Sequence, residues 1–171
     1  METRTEPEKV IRRMMECYGD AVLRMCYLNL RDAMLAEDAA QDTFFKAYQK
    51  LASFRGECAE KTWLMRIAIN TCRDYQRRAW LRRTDQSVDV ERLVLPGGTP
   101  ADEGDDTVIR AVMALPGRDR EVVLLRYYQQ MKLDEISRAL GVPQGTVTSR
   151  LNRARNKLRR QLEGWYFDEE F

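Results

Sequence analysis

The 171-residue sequence contains no histidine. That absence excludes Ser-His-Asp and Cys-His nucleophilic catalysis, histidine-containing zinc sites and histidine pH switching together. Cysteine is scarce: Cys17, Cys26, Cys58 and Cys72 are the only four, and no CxxC pair occurs. On one helix Cys17 and Cys26 would stand about 13 Å apart, too far for a disulfide, so free and partly buried thiols are expected. Long apolar runs are missing, and the N-terminal METRTEPEKV lacks the apolar stretch of a signal peptide, which predicts residence in a reducing cytoplasm. There is also no Walker-type phosphate loop, no HExxH and no nucleophile elbow. Neither an enzymatic activity nor a cofactor or metal is expected.

Net charge is small as well, with 29 Lys plus Arg against 27 Asp plus Glu. The charges are nevertheless sorted along the chain. Residues 61–83 hold seven bases (Lys61, Arg66, Arg73, Arg77, Arg78, Arg82, Arg83) and one acid, Asp74. Residues 147–160 hold Arg150, Arg153, Arg155, Lys157, Arg159 and Arg160 and no acid. Between them, residues 85–106 carry seven acids against one Arg.

Helical spacing of apolar residues dominates what remains. Val10, Met14, Cys17, Val22, Met25, Cys26 and Leu30 predict a first helix from Pro7. A second is expected from about residues 32–35 to Leu51, with Ala39, Ala40, Phe44, Ala47, Tyr48 and Leu51 on its apolar side. Residues 53–60 interrupt the pattern, with Gly56 as the turn residue. A third helix, KTWLMRIAINTCRDYQRRAWLRR, turns Leu64, Ile67, Ala68, Thr71, Cys72 and Tyr75 inward. Its Arg66, Asn70, Arg73 and Arg77, at spacings of four, three and four, share another face.

Periodicity fails between Thr84 and Thr107, where Pro96, Gly97, Gly98, Pro100 and Gly104 accompany the acids, the composition of a flexible linker. Beyond it we expect helices at about 108–114, 119–129, 133–140 and 144–162. Gly141-Val142-Pro143 separates the last two, the signature of a helix-turn-helix, with Ile136, Leu140, Val142, Val147, Leu151, Ala154 and Leu158 closing its core. The expected fold is therefore all-α, two small helical domains joined by a flexible acidic linker. The boundaries are 7–83, linker 84–106, a helix-turn-helix domain 107–163, and an aromatic-acidic tail 164–171.

Two basic helices in two domains suit a polyanion longer than either domain, and nucleic acid is the natural candidate. In the final helix, Arg and Lys near its ends suit phosphates, whereas Thr148, Ser149, Arg150, Asn152 and Arg153 stand in the first turns, which could reach base edges in a major groove. Trp63, Tyr75 and Trp80 interleave with the cations of the third helix, as in platforms for unpaired bases, although Trp63 and Tyr75 are equally compatible with core packing. Two functional classes remain open on these residues: a promoter-recognition subunit, and an ordinary DNA-binding regulator with an N-terminal sensor or dimerisation module.

The stretches AEDAAQDTFFKAYQ (36–49), FRGECAEKTWLMRIAINTCRDYQRR (54–78) and LPGRDREVVLLRYYQQMKLDEISRALGVPQGTVTSRLNRARNKLRR (115–160), with the acidic link between them, carry a family resemblance. They cover about 85 of the 171 residues. The chain resembles a bacterial RNA polymerase sigma factor of the extracytoplasmic-function (ECF) group, within the sigma-70 superfamily. The resemblance implies a region-2-like first domain and a region-4-like second one. Asp38, Gln41, Asp42 and Phe45 then correspond to the surface that docks on the beta-prime coiled coil of core polymerase. Phe54, Arg55, Lys61, Trp63, Arg66, Asn70, Arg73 and Arg77 correspond to the part that engages the minus-10 element, the 54–61 loop pocketing a flipped base of the non-template strand.

Thr146, Thr148, Ser149, Arg150, Asn152, Arg153 and Lys157 correspond to the minus-35 reader. The implied partners are core polymerase (beta-prime and beta subunits), promoter DNA both as duplex and as melted non-template strand, and an anti-sigma factor, commonly membrane-anchored in this family. The chain would be a monomer when free, or 1:1 with its partner. Three positions depart from the common pattern: Met65 stands where an aromatic is frequent, Asn152 where an aromatic or His is frequent, and Thr148 where a basic residue is frequent. The family's N-terminal autoinhibitory region is not expected, since the first helix begins near Pro7. The tail GWYFDEEF reads first as a disordered end and alternatively as a hook for a regulator.

Overall fold

A computed structural model of the chain describes residues 6–82 and 103–162, which group into two compact units. Every regular element among the described residues is helical, as the periodicity predicted.

The N-terminal unit is three helices, α1 (Glu6–Leu30), α2 (Ala33–Lys50) and α3 (Glu60–Arg82). Glu6 and Glu8 stand in the first turn of α1, where carboxylates favour the helix dipole. The helix stops at Arg31, whose left-handed backbone (φ 59°) lets its N–H reach the carbonyl of Tyr27 at 2.8 Å. Asp32 then caps α2, its Oδ1 accepting the Leu35 N–H at 2.9 Å. A chain reversal of two residues therefore makes α1 and α2 antiparallel neighbours.

Small residues on one side of α2 (Ala36, Ala39, Ala40, Ala47) are buried against Met14, Val22, Met25 and Leu28 of α1. From α3 come Leu64, Met65, Ala68, Ile69 and Cys72. Met65 and Ile69 widen the buried stripe of α3 beyond the one expected, because α3 packs on α1 and α2 together. Asn29 donates to the Met25 carbonyl at 2.9 Å and its own carbonyl accepts the Gln76 amide at 3.0 Å, tying α1 to α3.

Two residues expected on the apolar sides, Cys17 and Tyr48, are exposed, and Val10, Leu30, Leu51 and Tyr75 are only half-buried, whereas Ile11 is buried. Of the four thiols, Cys26 and Cys72 are buried, and all are free.

The C-terminal unit begins with α4 (Glu103–Met113). The helix starts about five residues before the expected position, inside the acidic segment assigned to the linker. Acids are favoured in a first helical turn, so that composition also suits a helix start. The rest of the linker, residues 84–102, and the tail lie outside the described residues.

Next comes α5, helical over Gly117–Val123 and continuing without a break as a π-helical turn, Leu124–Tyr128. The Gln129 N–H bonds the Leu124 carbonyl at 3.0 Å, and Gln130 leaves the helix in the left-handed region (φ 53°). The helix-turn-helix follows as α6 (Leu133–Leu140) and α7 (Gln144–Gln161). Glu135 accepts the Lys132 N–H at 2.7 Å, which satisfies one free donor at the start of α6.

Gly141 ends α6 at φ 65°, a conformation that costs a residue with Cβ about 1 kcal/mol. Ser137 braces the turn, its hydroxyl donating to the Val142 carbonyl at 2.6 Å. Ile136, Leu140, Val147, Leu151, Ala154 and Leu158 are buried and Val142 is half-buried, the core expected of this motif.

Candidate nucleic-acid interface

Burying one side of α2 on alanines leaves the other side to solvent. Met34, Asp38, Gln41, Phe45 and Tyr48, at spacings of four, three, four and three, are all exposed, Met34 at 78% and Phe45 at 60%. A stripe of large apolar and acidic side chains at these exposures is the composition of a docking surface. Asp38, Gln41 and Phe45 are thus brought together as the sequence predicted.

Asp42 is not on this stripe. It is half-buried and its Oδ2 accepts the Tyr75 hydroxyl at 2.7 Å. Burial first, and then the Asp42 and Asp38 carboxylates, push the Tyr75 phenol up to about 12. Met34 and Tyr48 extend the stripe at both ends and escaped the sequence reading, Tyr48 because it was placed inward. The 34-38-41-45-48 spacing was the available signal.

The segment between α2 and α3 is short and pinned. Leu51–Ser53 forms one 3-10 turn, and the Phe54 ring then lies 4.7 Å, centroid to centroid, from that of Trp63 at an interplanar angle of 30°. Gly56 takes φ 72°, which a side chain would strain, and Arg55 is exposed beside it. At the start of α3 the Glu60 carboxylate takes both ends of the Arg13 guanidinium, at 2.9 and 2.6 Å. That pairing holds the Glu60 carboxyl below its ordinary range and ties the loop to α1. Trp63 and Phe54 therefore cover each other, each half-buried, and Lys61 is half-buried next to them.

Along α3, Arg66, Asn70 and Arg77 are exposed and Arg73 is half-buried, so the four residues line one side as expected. Asp74, the one acid of this segment, pairs with Arg77 on its own helix and with Lys46 of α2 at 3.4 Å. Arg78 lies 5.9 Å over the Tyr75 ring. Trp80 prolongs the same row by three residues and is exposed.

On α7 the buried stripe Val147, Leu151, Ala154 and Leu158 directs Thr148, Ser149, Asn152 and Arg153 outward, all of them exposed. Thr146 and Arg150 are half-buried on the flank. The Thr148 and Ser149 hydroxyls donate to the carbonyls four residues back, at 3.1 and 2.9 Å. Asn152 Oδ1 accepts a hydrogen bond from Arg155.

Arg153 and Lys157 were expected to face DNA, and both also have an internal partner. They converge on Asp119 of α5, at 2.9 and 3.5 Å. Asn156, exposed between Asn152 and Arg160, belongs to this side by its spacing.

Residues 14–82 match the sigma-70 region 2 model, and residues 105–158 match the sigma-70 region 4 model. The ECF RNA polymerase sigma factor SigW of Bacillus subtilis is 33% identical over 165 residues, which span 87% of both chains. This chain belongs to the ECF sigma factors. The RNA polymerase sigma-H factor of Pseudomonas aeruginosa is 33% identical over 85% of the chain and 82% of its own length.

Among solved structures, the sigma factor RpoE of Bartonella quintana, crystallised with the anti-sigma factor NepR, superimposes with a TM-score of 0.76 at 23% identity. It covers 92% of this chain and 99% of its own, and shows the shared fold. CnrH in complex with the cytosolic domain of CnrY gives 0.68 at 25% identity, covering 93% and 91%. Sigma factors are regulatory initiation factors of transcription and carry no catalysis of their own. Among the described residues of this sigma factor no helix is long and apolar enough to cross a membrane.

Proposed function

We propose that this ECF sigma factor docks on core RNA polymerase through the α2 stripe, engages the minus-10 element with α3 and its preceding loop, and binds the minus-35 duplex with α7. The observation that carries the reading is the separation of the three surfaces. An exposed acidic and apolar stripe (Asp38, Gln41, Phe45) suits a basic protein partner, and two basic helices on different units suit one continuous polyanion.

DNA opening then needs no hydrolysis. A base that leaves the stack costs a few kcal/mol, which contacts in the Phe54 to Lys61 segment recover, so the open form is captured rather than forced. Arg66, Asn70, Arg73 and Arg77 guide the strand beside it. On α7, Ser149, Asn152 and Arg153 face base edges, while the outlying cations hold phosphates. Polymerase supplies the phosphodiester chemistry, in the cytoplasm. An anti-sigma factor is the regulatory partner, in keeping with the complex in which RpoE of Bartonella quintana was crystallised.

The deciding experiment is run-off transcription on fragmented genomic DNA by sigma-free core polymerase, with and without this protein, with the 5′ ends sequenced. New starts that share two spaced upstream motifs are expected. Their absence, in a reaction where another sigma factor works, would favour the ordinary regulator instead.

A further inference from the structure

The α7 reader contains an arrangement that helix-turn-helix geometry alone does not require. Asp119, in the first turn of α5, has a side chain only 4% exposed, yet both its oxygens face α7. Arg153 Nε lies 3.3 Å from each oxygen and Nη2 lies 2.9 Å from Oδ1. The carboxylate therefore takes one edge of the guanidinium as a fork. Lys157 Nζ, one turn further along α7, approaches Oδ2 at 3.5 Å.

The Arg153 side chain itself stays 59% exposed, and its Nη1 has no hydrogen-bond partner among the described residues. A guanidinium carries five N–H groups in one plane. With the Nε edge held, the end-on edge formed by Nη1 and the second Nη2 hydrogen remains open. It points two parallel donors away from Asp119, the pattern that matches O6 and N7 of guanine.

Resting on the minus-35 reading above, we propose that Asp119 is a positioning residue for sequence discrimination, buttressing Arg153 so that its open edge reads a guanine in the upstream duplex. A long, flexible side chain that must be ordered on binding discriminates poorly, because part of the interaction is lost to its rotamer freedom. A guanidinium held in plane by a buried carboxylate is ordered before DNA arrives. Electrostatics alone gives the opposite expectation for Asp119. A carboxylate beside a polyanion opposes binding, so its removal should strengthen binding to every sequence.

The test uses the full chain as holoenzyme on a pool of promoter fragments whose upstream element is randomised, with transcripts sequenced to give base preferences. Asp119→Asn keeps the size of the side chain and removes its charge. We expect guanine preference at one upstream position to fall about tenfold, with the other upstream positions and the minus-10 preferences unchanged. Arg153→Lys, an exposed change that spares the fold, should flatten the same position, and the double variant should do no more than either single one.

A uniform gain or loss across all upstream sequences, or an unchanged preference, overturns the proposal. Should Asp119→Asn lower the melting temperature, Arg153→Lys decides by itself. A wild-type holoenzyme that yields no starts overturns the minus-35 reading and this inference with it.

Discussion

The two basic helices carry similar charge and manage it differently. In α3 the compensating acid is local: Asp74 sits within the helix, pairs with Arg77 one turn away and draws in Lys46 from α2. In α7 the helix holds no acid from Val147 to Arg160, and its partner is Asp119, 34 residues earlier than Arg153 and buried in α5. A helix that carries its own counter-charge can sit on a broad core and still vary its exposed face. One that borrows its counter-charge depends on the packing of another element for the aim of its arginine. Discrimination by α7 should therefore respond to changes in α5, whereas α3 should respond mainly to changes in itself and in α2.

The largest effect expected tests the surface between these regimes. Asp38→Arg places a cation on the stripe proposed to meet a basic partner and should weaken holoenzyme assembly on the order of a hundredfold, leaving duplex binding by α7 intact. A titration of labelled core polymerase reads this, and retained affinity removes the docking assignment. Next, Leu64→Ala opens a cavity where α3 meets both other helices and should cost about 3 kcal/mol. Hydrogen exchange should locate the loss in α1–α3 and leave α5–α7 protected.

Separating the two proposed DNA surfaces needs a matched pair. Asn70→Ala should reduce permanganate reactivity of the opened minus-10 segment roughly tenfold with little effect on minus-35 duplex binding, and Asn152→Ala should do the reverse. Equal effects of both variants on both readouts would erase the distinction between α3 and α7.

Smaller effects concern the ties that hold α3. Tyr75→Phe removes the hydroxyl that bonds Asp42 and should cost about 1 kcal/mol. In the wild type this contribution has a definite pH window. The folded-state phenol titrates at about 12 against an ordinary 10.0, so the stabilisation is complete below pH 10 and is lost as pH rises towards 12. Tyr75→Phe should therefore flatten the alkaline limb of a melting curve series.

The Arg13–Glu60 pair has the opposite sign, because Glu60 is held below its ordinary value. Its contribution is present above the unfolded carboxyl pKa and fades as pH falls through the lower folded one. The pair is exposed to solvent, so Arg13→Ala should lower stability only slightly at neutral pH. Acid melts of the variant and the wild type should converge.

Most of the fold and the class of function could be read from residues alone. Spacings of three and four mark the long helices, Gly141 marks the turn before α7, and sorted charge marks α3 and α7 as the basic helices. These signals survive because they are local: each depends on residues within one or two turns of one another. The start of α4 was misplaced because acids suit both a linker and a first helical turn. Tyr48 and Tyr75 were misplaced because an aromatic at helical spacing fits either a core or its rim.

Partnerships across elements belonged to the tertiary structure. Composition and periodicity determined that this chain is helical, divided in two and aimed at nucleic acid. Packing alone decided that Asp42 turns towards Tyr75, that Phe54 covers Trp63, and that Asp119 holds Arg153. The reason is range. Helical periodicity is set by a repeat of 3.6 residues, but a hydrogen bond or ion pair between helices depends on angles and distances that exist only once both helices are seated on a common core.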